Sequence, residues 1–395
     1  MLASFEQAYV QFCAGQPANR SEDNETIPQS CFEKAFEEIT SWDGYEPTPL
    51  IELDGLAKTL NVANVYYKDE SLRFGLGSFK ALGGAYAVLC VLQRELSARL
   101  GRRVSFEEIH RGDLQKFASD ITVITATDGN HGRSVAWGAK RFGVRCRIYI
   151  HAEVREFRAE AMRQLGAEVI RIDGDYDASV AVTRAEANRH GWKIVSDTSW
   201  PGYFQAPTDV MSGYGVMAHE IVRGIDKPPT HLFLQGGVGG LAASLIAVFQ
   251  QAWQHNTPRS IIVEPELAPC LFESAKKGEP TAVQVQQETL MAGLSCGEPS
   301  VIAWEVLAHS AHAFMTIPDS LVAPTVRMLA QEKTGDTSIS AGESAVAGLI
   351  GCLCAALQPY LREKILLGPD SRILLIGSEG VTDPGLFLDI LAEQV

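Results

Sequence analysis

The stretch His231-Leu232-Phe233-Leu234-Gln235-Gly236-Gly237-Val238-Gly239-Gly240-Leu241-Ala242-Ala243-Ser244 reads as a strand, a glycine loop and the start of a helix. An apolar strand with no polar alternation is covered on both faces, as strands of parallel sheets are. Four glycines in five residues, placed between that strand and a helix, let backbone amides close around an anion at the helix N-terminus. A turn with no ligand is the weaker reading, because every glycine costs conformational entropy on folding.

The same pattern recurs on both sides of this stretch. Candidate strands are Val65–Lys68, Thr122–Thr125, Arg147–Ile150, Glu168–Ile172 and Lys193–Ser196 upstream, and Ile261–Glu264 and Arg372–Ile376 downstream. Helix-length stretches such as 133–142 and 156–164 lie between most of them. Alternating strands and helices predict an α/β fold of parallel sheets covered on both faces. Right-handed crossovers then place ligand sites at the carboxyl ends of the strands. With 395 residues, 46% of them hydrophobic, the chain can bury two α/β domains. Residues 1–43 read as polar and irregular, interrupted by Asn24, Glu25 and Pro28. Tyr45-Glu46-Pro47-Thr48-Pro49-Leu50 reads as a rigid extended entry. The charged stretch 94–112 reads as a surface helical excursion.

The glycine loop has two chemical readings. Gly236 to Gly240 suit a single phosphate. Gly237-x-Gly239-x-x-Ala242 also satisfies the dinucleotide fingerprint, and Glu264 ends the next strand where a ribose-binding acid would stand. A hydride-transfer enzyme is therefore a competitor.

Lys80 supplies the counterweight. It stands in Gly75-Leu76-Gly77-Ser78-Phe79-Lys80-Ala81-Leu82-Gly83-Gly84-Ala85-Tyr86, with no acidic residue from Phe74 to Cys90. A lysine at the start of such a helix is badly placed for a surface salt bridge. It is suited to be a desolvated amine that loses its proton and attacks carbonyls. A solvated lysine is the commoner case for one residue seen alone. Three further segments follow candidate strands. In Thr125-Ala126-Thr127-Asp128-Gly129-Asn130-His131-Gly132, helix-start amides suit a carboxylate. There Asn130 can donate to a phenolate oxygen, and Asp128 is a candidate acid or base; an Asx-type turn explains the segment equally well. In Ile376-Gly377-Ser378-Glu379-Gly380, the Ser378 hydroxyl can meet a neutral pyridine nitrogen, or it is an ordinary serine leaving a strand. In Ser196-Asp197-Thr198, Asp197 can bind a substrate amine or cap the turn.

With these residues in view, the chain resembles the fold type II pyridoxal phosphate enzymes, the tryptophan synthase β-subunit-like group, and within it the diaminopropionate ammonia-lyase family. The resemblance runs from about Tyr45 to about Asp383. Its broad pieces are the helix bearing Lys80, the loop around Asn130 and the glycine loop. Its narrower ones are Asp128 before Gly129-Asn130-His131, the run Met291 to Pro299, and Glu379-Gly380. The resemblance implies that Lys80 forms the Schiff base with pyridoxal 5′-phosphate and that Phe79 packs beside the ring. It implies that Asn130 meets the 3′ oxygen, that Gly236, Gly237, Val238, Gly239 and Gly240 bind the phosphate, and that Ser378 faces the ring nitrogen. It further implies that Thr127 and His131 line a carboxylate pocket, and that Asp128 and Asp197 read substrate amino groups, Asp128 also moving a proton. Two domains are expected, with the active site in the cleft between them. Residues 1–85 and 200–395 form the large one, with the phosphate and ring sites. Residues 86–199 form the small one, with the asparagine loop and the carboxylate pocket. The expected reaction is α,β-elimination on D- or L-2,3-diaminopropionate, giving pyruvate and two ammonia. A serine, threonine or hydroxyaspartate dehydratase, the nicotinamide enzyme and a non-catalytic pyridoxal-binding protein are the alternatives.

Composition narrows the partners. The formal net charge is -14, and no basic patch stands out, which argues against nucleic acid. No apolar stretch reaches 18 residues, so no membrane span is expected. Met1-Leu2-Ala3-Ser4-Phe5-Glu6-Gln7 lacks a signal pattern, so a cytoplasmic protein is expected. The eight cysteines form no Cys-x-x-Cys pair, and no metal is expected. A small amino-acid substrate and a homodimer complete the expectations.

Overall fold

A computed structural model describes residues 2–17, 26–127, 129–174 and 176–394. Along them run the strands β1 (Phe12–Ala14), β2 (Leu50–Glu52), β3 (Asn64–Asp69), β4 (Thr122–Ala126), β5 (Arg145–Ile150) and β6 (Glu168–Arg171). They are followed by β7 (Lys193–Ile194), β8 (His231–Gln235), β9 (Arg259–Pro265), β10 (Ala313–Ile317) and β11 (Arg372–Gly377). One sheet has the order β1-β10-β9-β8-β11-β3-β2, the other β6-β5-β4-β7. The five central strands of the first sheet and all four of the second are parallel. The short edges β1 and β2 pair antiparallel. This is the α/β architecture expected from the unbroken apolar runs.

Two compact units result: 1–32 with 44–79 and 215–395, and 33–43 with 80–214. These limits differ from the expected 1–85, 86–199 and 200–395, and the reason is local packing. A Cβ on Gly83 would lie 2.4 Å from the Tyr214 ring and 2.6 Å from the Val210 carbonyl oxygen. One on Gly84 would lie 2.5 Å from Ser134 Oγ, and one on Gly138 2.7 Å from Ala85 Cα. The missing side chains let the helices Lys80–Leu100 and Asn130–Phe142, and the first half of Gln205–Gly224, approach closely inside the smaller unit. Residues 81–92 are buried on every side of their helix, which is why the sequence there is small and uncharged.

In the larger unit the helix Ala347–Leu357 is apolar all round and buried from 347 to 356. Helices of that kind lie inside a core. Beside this core is an ionic cluster that sequence did not announce. Lys68 Nζ donates to Glu220 Oε2 and to the Thr48 carbonyl, both at 2.6 Å. Arg73 donates to Glu70 and Glu220, each through two nitrogens at 2.8 Å. The four side chains are at most 3% exposed. Two cations facing two carboxylates balance, but losing one member would strand a buried charge, at a cost of about 3–5 kcal/mol.

Three strands escaped the sequence reading. β1 and β2 have three residues each, too few for a periodic signal. Ala313–Ile317 follows the apolar helix Val301–Ser310 with only two residues between, so the two apolar runs merge. The described part of 1–43 is more regular than expected, while Asn24 and Glu25 lie outside the described residues. Pro28 does not break a helix there; it immediately precedes the helix Gln29–Thr40, which buries Phe32, Ala35 and Ile39 at helical spacing. The stretch 94–112 splits into the end of the Lys80–Leu100 helix and the helix Phe106–His110, capped by Ser105 and Glu108. Among the described residues no helix is long and apolar enough to cross a membrane.

Candidate active site

In the larger unit the chemistry gathers where β8 and β11, neighbours in the sheet, reach their carboxyl ends. Gly237 and Gly239 adopt φ +59° and +95°, values that residues with a Cβ rarely hold. A Cβ on Gly236 would sit 2.4 Å from Glu264 Cγ, and one on Gly239 3.0 Å from Leu307 Cδ1. The first bond of the following helix runs from Ala243 N to the Gly239 carbonyl at 2.9 Å. The amides of Gly240, Leu241 and Ala242 therefore have no acceptor within the helix. That is a cradle for one phosphate group.

Beside the loop, the Gln235 side-chain amide donates to the Ile376 carbonyl at 2.6 Å, to the Ala345 carbonyl at 3.0 Å and to Ser378 Oγ at 3.3 Å. Because Ser378 Oγ accepts from Gln235, its own hydrogen stays available for donation. The Ser378 carbonyl accepts from Phe79 N at 3.0 Å. Phe79, Ser378 and the glycine loop are thus held together through Gln235 and the ends of two adjacent strands. A hydroxyl donor fits a pyridine nitrogen, and the amide cradle fits its phosphate, so these residues fit pyridoxal phosphate. Gln235 had no assigned role in the sequence; its one signal was a polar side chain at the end of a buried strand.

The dinucleotide reading fails at Glu264. Its carboxylate accepts from Leu271 N at 3.0 Å and Phe272 N at 2.7 Å, and the residue is fully buried. It caps the helix Cys270–Lys277 and packs against Gly236, so it has no face for a ribose. Burial drives its carboxyl up to about 8, against the lowering effect of those two amides. The folded protein therefore holds a proton there that the unfolded chain releases above its ordinary value near 4.5. Between these two values the folded state binds more protons, so stability falls as pH rises, by up to a few kcal/mol in all. Glu264→Gln keeps an acceptor and removes the titration. Its melting temperature is expected to change less across pH 4.5–8 than that of the wild type; thermal denaturation at several pH values checks this, and parallel curves would refute it.

In the smaller unit the side chains gather at the carboxyl ends of β4 and β7, also sheet neighbours. Lys80 Nζ donates to Asp197 Oδ2 at 2.5 Å and lies 5.7 Å from the Tyr214 ring centre. The lack of local acids did not keep Lys80 out of an ion pair, because its partner lies 117 positions away. Burial would raise the Asp197 carboxyl, but Lys80 and then His131 outweigh it and hold it well below the usual range. The turn amide of Thr198 bonds Ser196 Oγ at 3.1 Å, so Asp197 is committed to the lysine and not to the cap. His131 donates from Nε2 to the Val195 carbonyl at 2.8 Å, which leaves Nδ1 3.9 Å from Asp197 Oδ2. Thr127 Oγ1 accepts from Gly129 N at 3.1 Å and Gly132 N at 3.3 Å, fixing the start of the Asn130–Phe142 helix. Asn130 is the first residue of that helix. Tyr203, which sequence reasoning missed, donates to the Ile194 carbonyl at 2.8 Å and accepts from Ser196 N at 3.1 Å, clamping the segment that carries Asp197. Asp128 lies outside the described residues.

The model of the family described as pyridoxal-phosphate dependent enzyme matches residues 41–378. The chain belongs to this family. It is 40% identical over 357 residues to the diaminopropionate ammonia-lyase of Escherichia coli K12, covering 89% of this chain and 88% of that protein. The diaminopropionate ammonia-lyase of Salmonella typhimurium is 38% identical over 88% of each chain. The holo crystal structure of the Escherichia coli enzyme superposes with a TM-score of 0.89 at 36% identity, over 98% of this chain and 97% of that one. The crystal structure of the same enzyme with an aminoacrylate-PLP azomethine reaction intermediate gives 0.88 at 36% identity, over 98% of both chains. The cofactor of this enzyme is pyridoxal phosphate, and its fold is that of the type II enzymes.

Proposed function

We propose that this enzyme eliminates ammonia from 2,3-diaminopropionate, as the D or L isomer, giving pyruvate and two ammonia with uptake of one water. The observation that carries the reading is the 40% identity to a diaminopropionate ammonia-lyase across nearly the whole chain. Pyridoxal phosphate, when bound, delocalises the electron pair left when the α-proton departs. The amides of Gly240 to Ala242 hold its phosphate, the Ser378 hydroxyl donates to its ring nitrogen, Phe79 packs beside the ring and Asn130 donates to the 3′ oxygen. Lys80 Nζ is the amine that binds the cofactor and, once released by the substrate amine, takes the α-proton from one face. Asp197 Oδ2, hydrogen-bonded to Lys80 Nζ, orients that amine and reads a substrate ammonium. Thr127, His131 and the helix-start amides bind the substrate carboxylate. Asp128, from its place in Thr127-Asp128-Gly129-Asn130, holds the β-ammonium and serves the opposite face, since an amine leaves only when protonated. A cytoplasmic homodimer is part of the same reading, checked by light scattering in solution.

A hydroxy-amino-acid dehydratase is the second reading, drawn from the 25% identity to a probable D-serine dehydratase of Rhizobium leguminosarum. Product stoichiometry separates the two. Diaminopropionate turnover releases two ammonia per pyruvate, serine turnover one. A higher kcat/KM on diaminopropionate is expected, and a preference for serine would reverse the assignment.

A further inference from the structure

At the amino ends of the central strands of the large sheet, opposite the glycine loop, lies a cavity of about 530 Å³. Lys227, His255, Arg259, His312 and Arg372 line it, along with Thr230. Three of these precede or begin parallel strands of that sheet: His312 before β10, Arg259 at the start of β9 and Arg372 at the start of β11, with Thr230 just before the intervening β8. The strand register brings together basic residues scattered between positions 227 and 372, so no basic patch shows in the sequence.

The lining contains no carboxylate, although the chain has 14 more acidic than basic side chains. No hydrogen bond or ion pair to a described residue ties down the Arg259 guanidinium or the Lys227 ammonium. Arg372 is held by one bond, from Nε to the Pro228 carbonyl at 2.9 Å, which leaves its terminal nitrogens for a ligand. His312 accepts from Ser260 N through Nδ1 at 3.3 Å, so its hydrogen sits on Nε2. Burial and, after it, the charge of Arg259 keep this imidazole below its ordinary value.

We propose that this cavity is a second ligand site, separate from the active site, for a small molecule carrying a multiply charged phosphate. Guanidinium forks and an ammonium suit phosphate oxygens. The volume falls within the range of small-molecule sites. The cavity offers no phenyl, phenol or indole ring for a base to stack on, so the ligand is a diphosphate or a phosphorylated aliphatic compound and not a nucleotide read through its base.

The test uses the enzyme loaded with pyridoxal phosphate, so that the glycine loop is already filled. Calorimetric titration at fixed ionic strength compares inorganic pyrophosphate, fructose 1,6-bisphosphate and sulfate. One site per chain with a Kd below about 1 mM is expected for at least one of the two phosphates. The tighter of these tells whether a free or an esterified phosphate is the better ligand. Lys227→Gln with Arg259→Gln should weaken binding by about tenfold or more. Both positions are exposed, so cofactor absorbance, turnover and the melting temperature without ligand should be unchanged. Sulfate binding as tightly as the phosphates, equal affinity in the double variant, or no saturation by about 10 mM would each overturn the assignment.

Discussion

Lys80→Ala yields a folded protein that has lost the visible absorbance of its lysine-bound cofactor and nearly all turnover. Folding survives because the substitution removes a half-buried side chain, with little apolar surface, from the first residue of its helix. It does leave the Asp197 carboxylate without the cation that offsets its burial, so a modest loss of melting temperature accompanies it. Turnover falls much further. Positioned proton transfer alone is worth roughly 10²–10⁴-fold, and the covalent attachment goes with it. Lys80→Arg separates the two effects. The guanidinium still faces Asp197, but it stays charged and cannot form a Schiff base, so stability returns while absorbance and turnover do not. Borohydride reduction of the wild type followed by peptide mapping must label Lys80; a label on another lysine would refute the assignment.

Asp128→Asn lowers kcat/KM on 2,3-diaminopropionate by one to two orders of magnitude or more, with the cofactor absorbance intact. The reason is charge. A diamino acid brings a second ammonium that serine and threonine lack. A carboxylate hydrogen-bonded to that cation in a partly dry pocket contributes about 1.5–3 kcal/mol, or roughly 10- to 150-fold. Sites that leave a polar partner unpaired discriminate strongly, so any turnover of serine or threonine suffers much less. With Lys80 serving one face and Asp128 the other, one stereoisomer, expected to be D, loses more. Steady-state kinetics on both isomers of diaminopropionate and of serine, for both proteins, decide the matter. Equal losses on every substrate would remove Asp128 as the specificity determinant.

The local motifs were legible because each lies on one short stretch with its own period or turn chemistry. Residues 231–244 already contained the strand, the loop and the helix. The apolar runs of β3, β4, β5, β8, β9 and β11 needed no tertiary information, since a strand buried on both faces has no polar alternation to hide. β10 was lost where one apolar run followed another, and β1 and β2 were too short to show a period.

From the sequence alone followed the fold class, because unbroken apolar strands, glycine loops and helix starts are local properties, and the resemblance those motifs carry added the cofactor. Only the tertiary structure decided what each polar group is committed to. It paired Lys80 with Asp197 across 117 positions, spent Glu264 on the amides of Leu271 and Phe272, and turned Gln235 toward Ser378. It also gathered Arg259, His312 and Arg372 at the amino ends of the strands of one sheet. Partners of this kind are fixed by the order of strands in a sheet and by which buried donors remain unsatisfied, and neither is written in the neighbours of a residue along the chain.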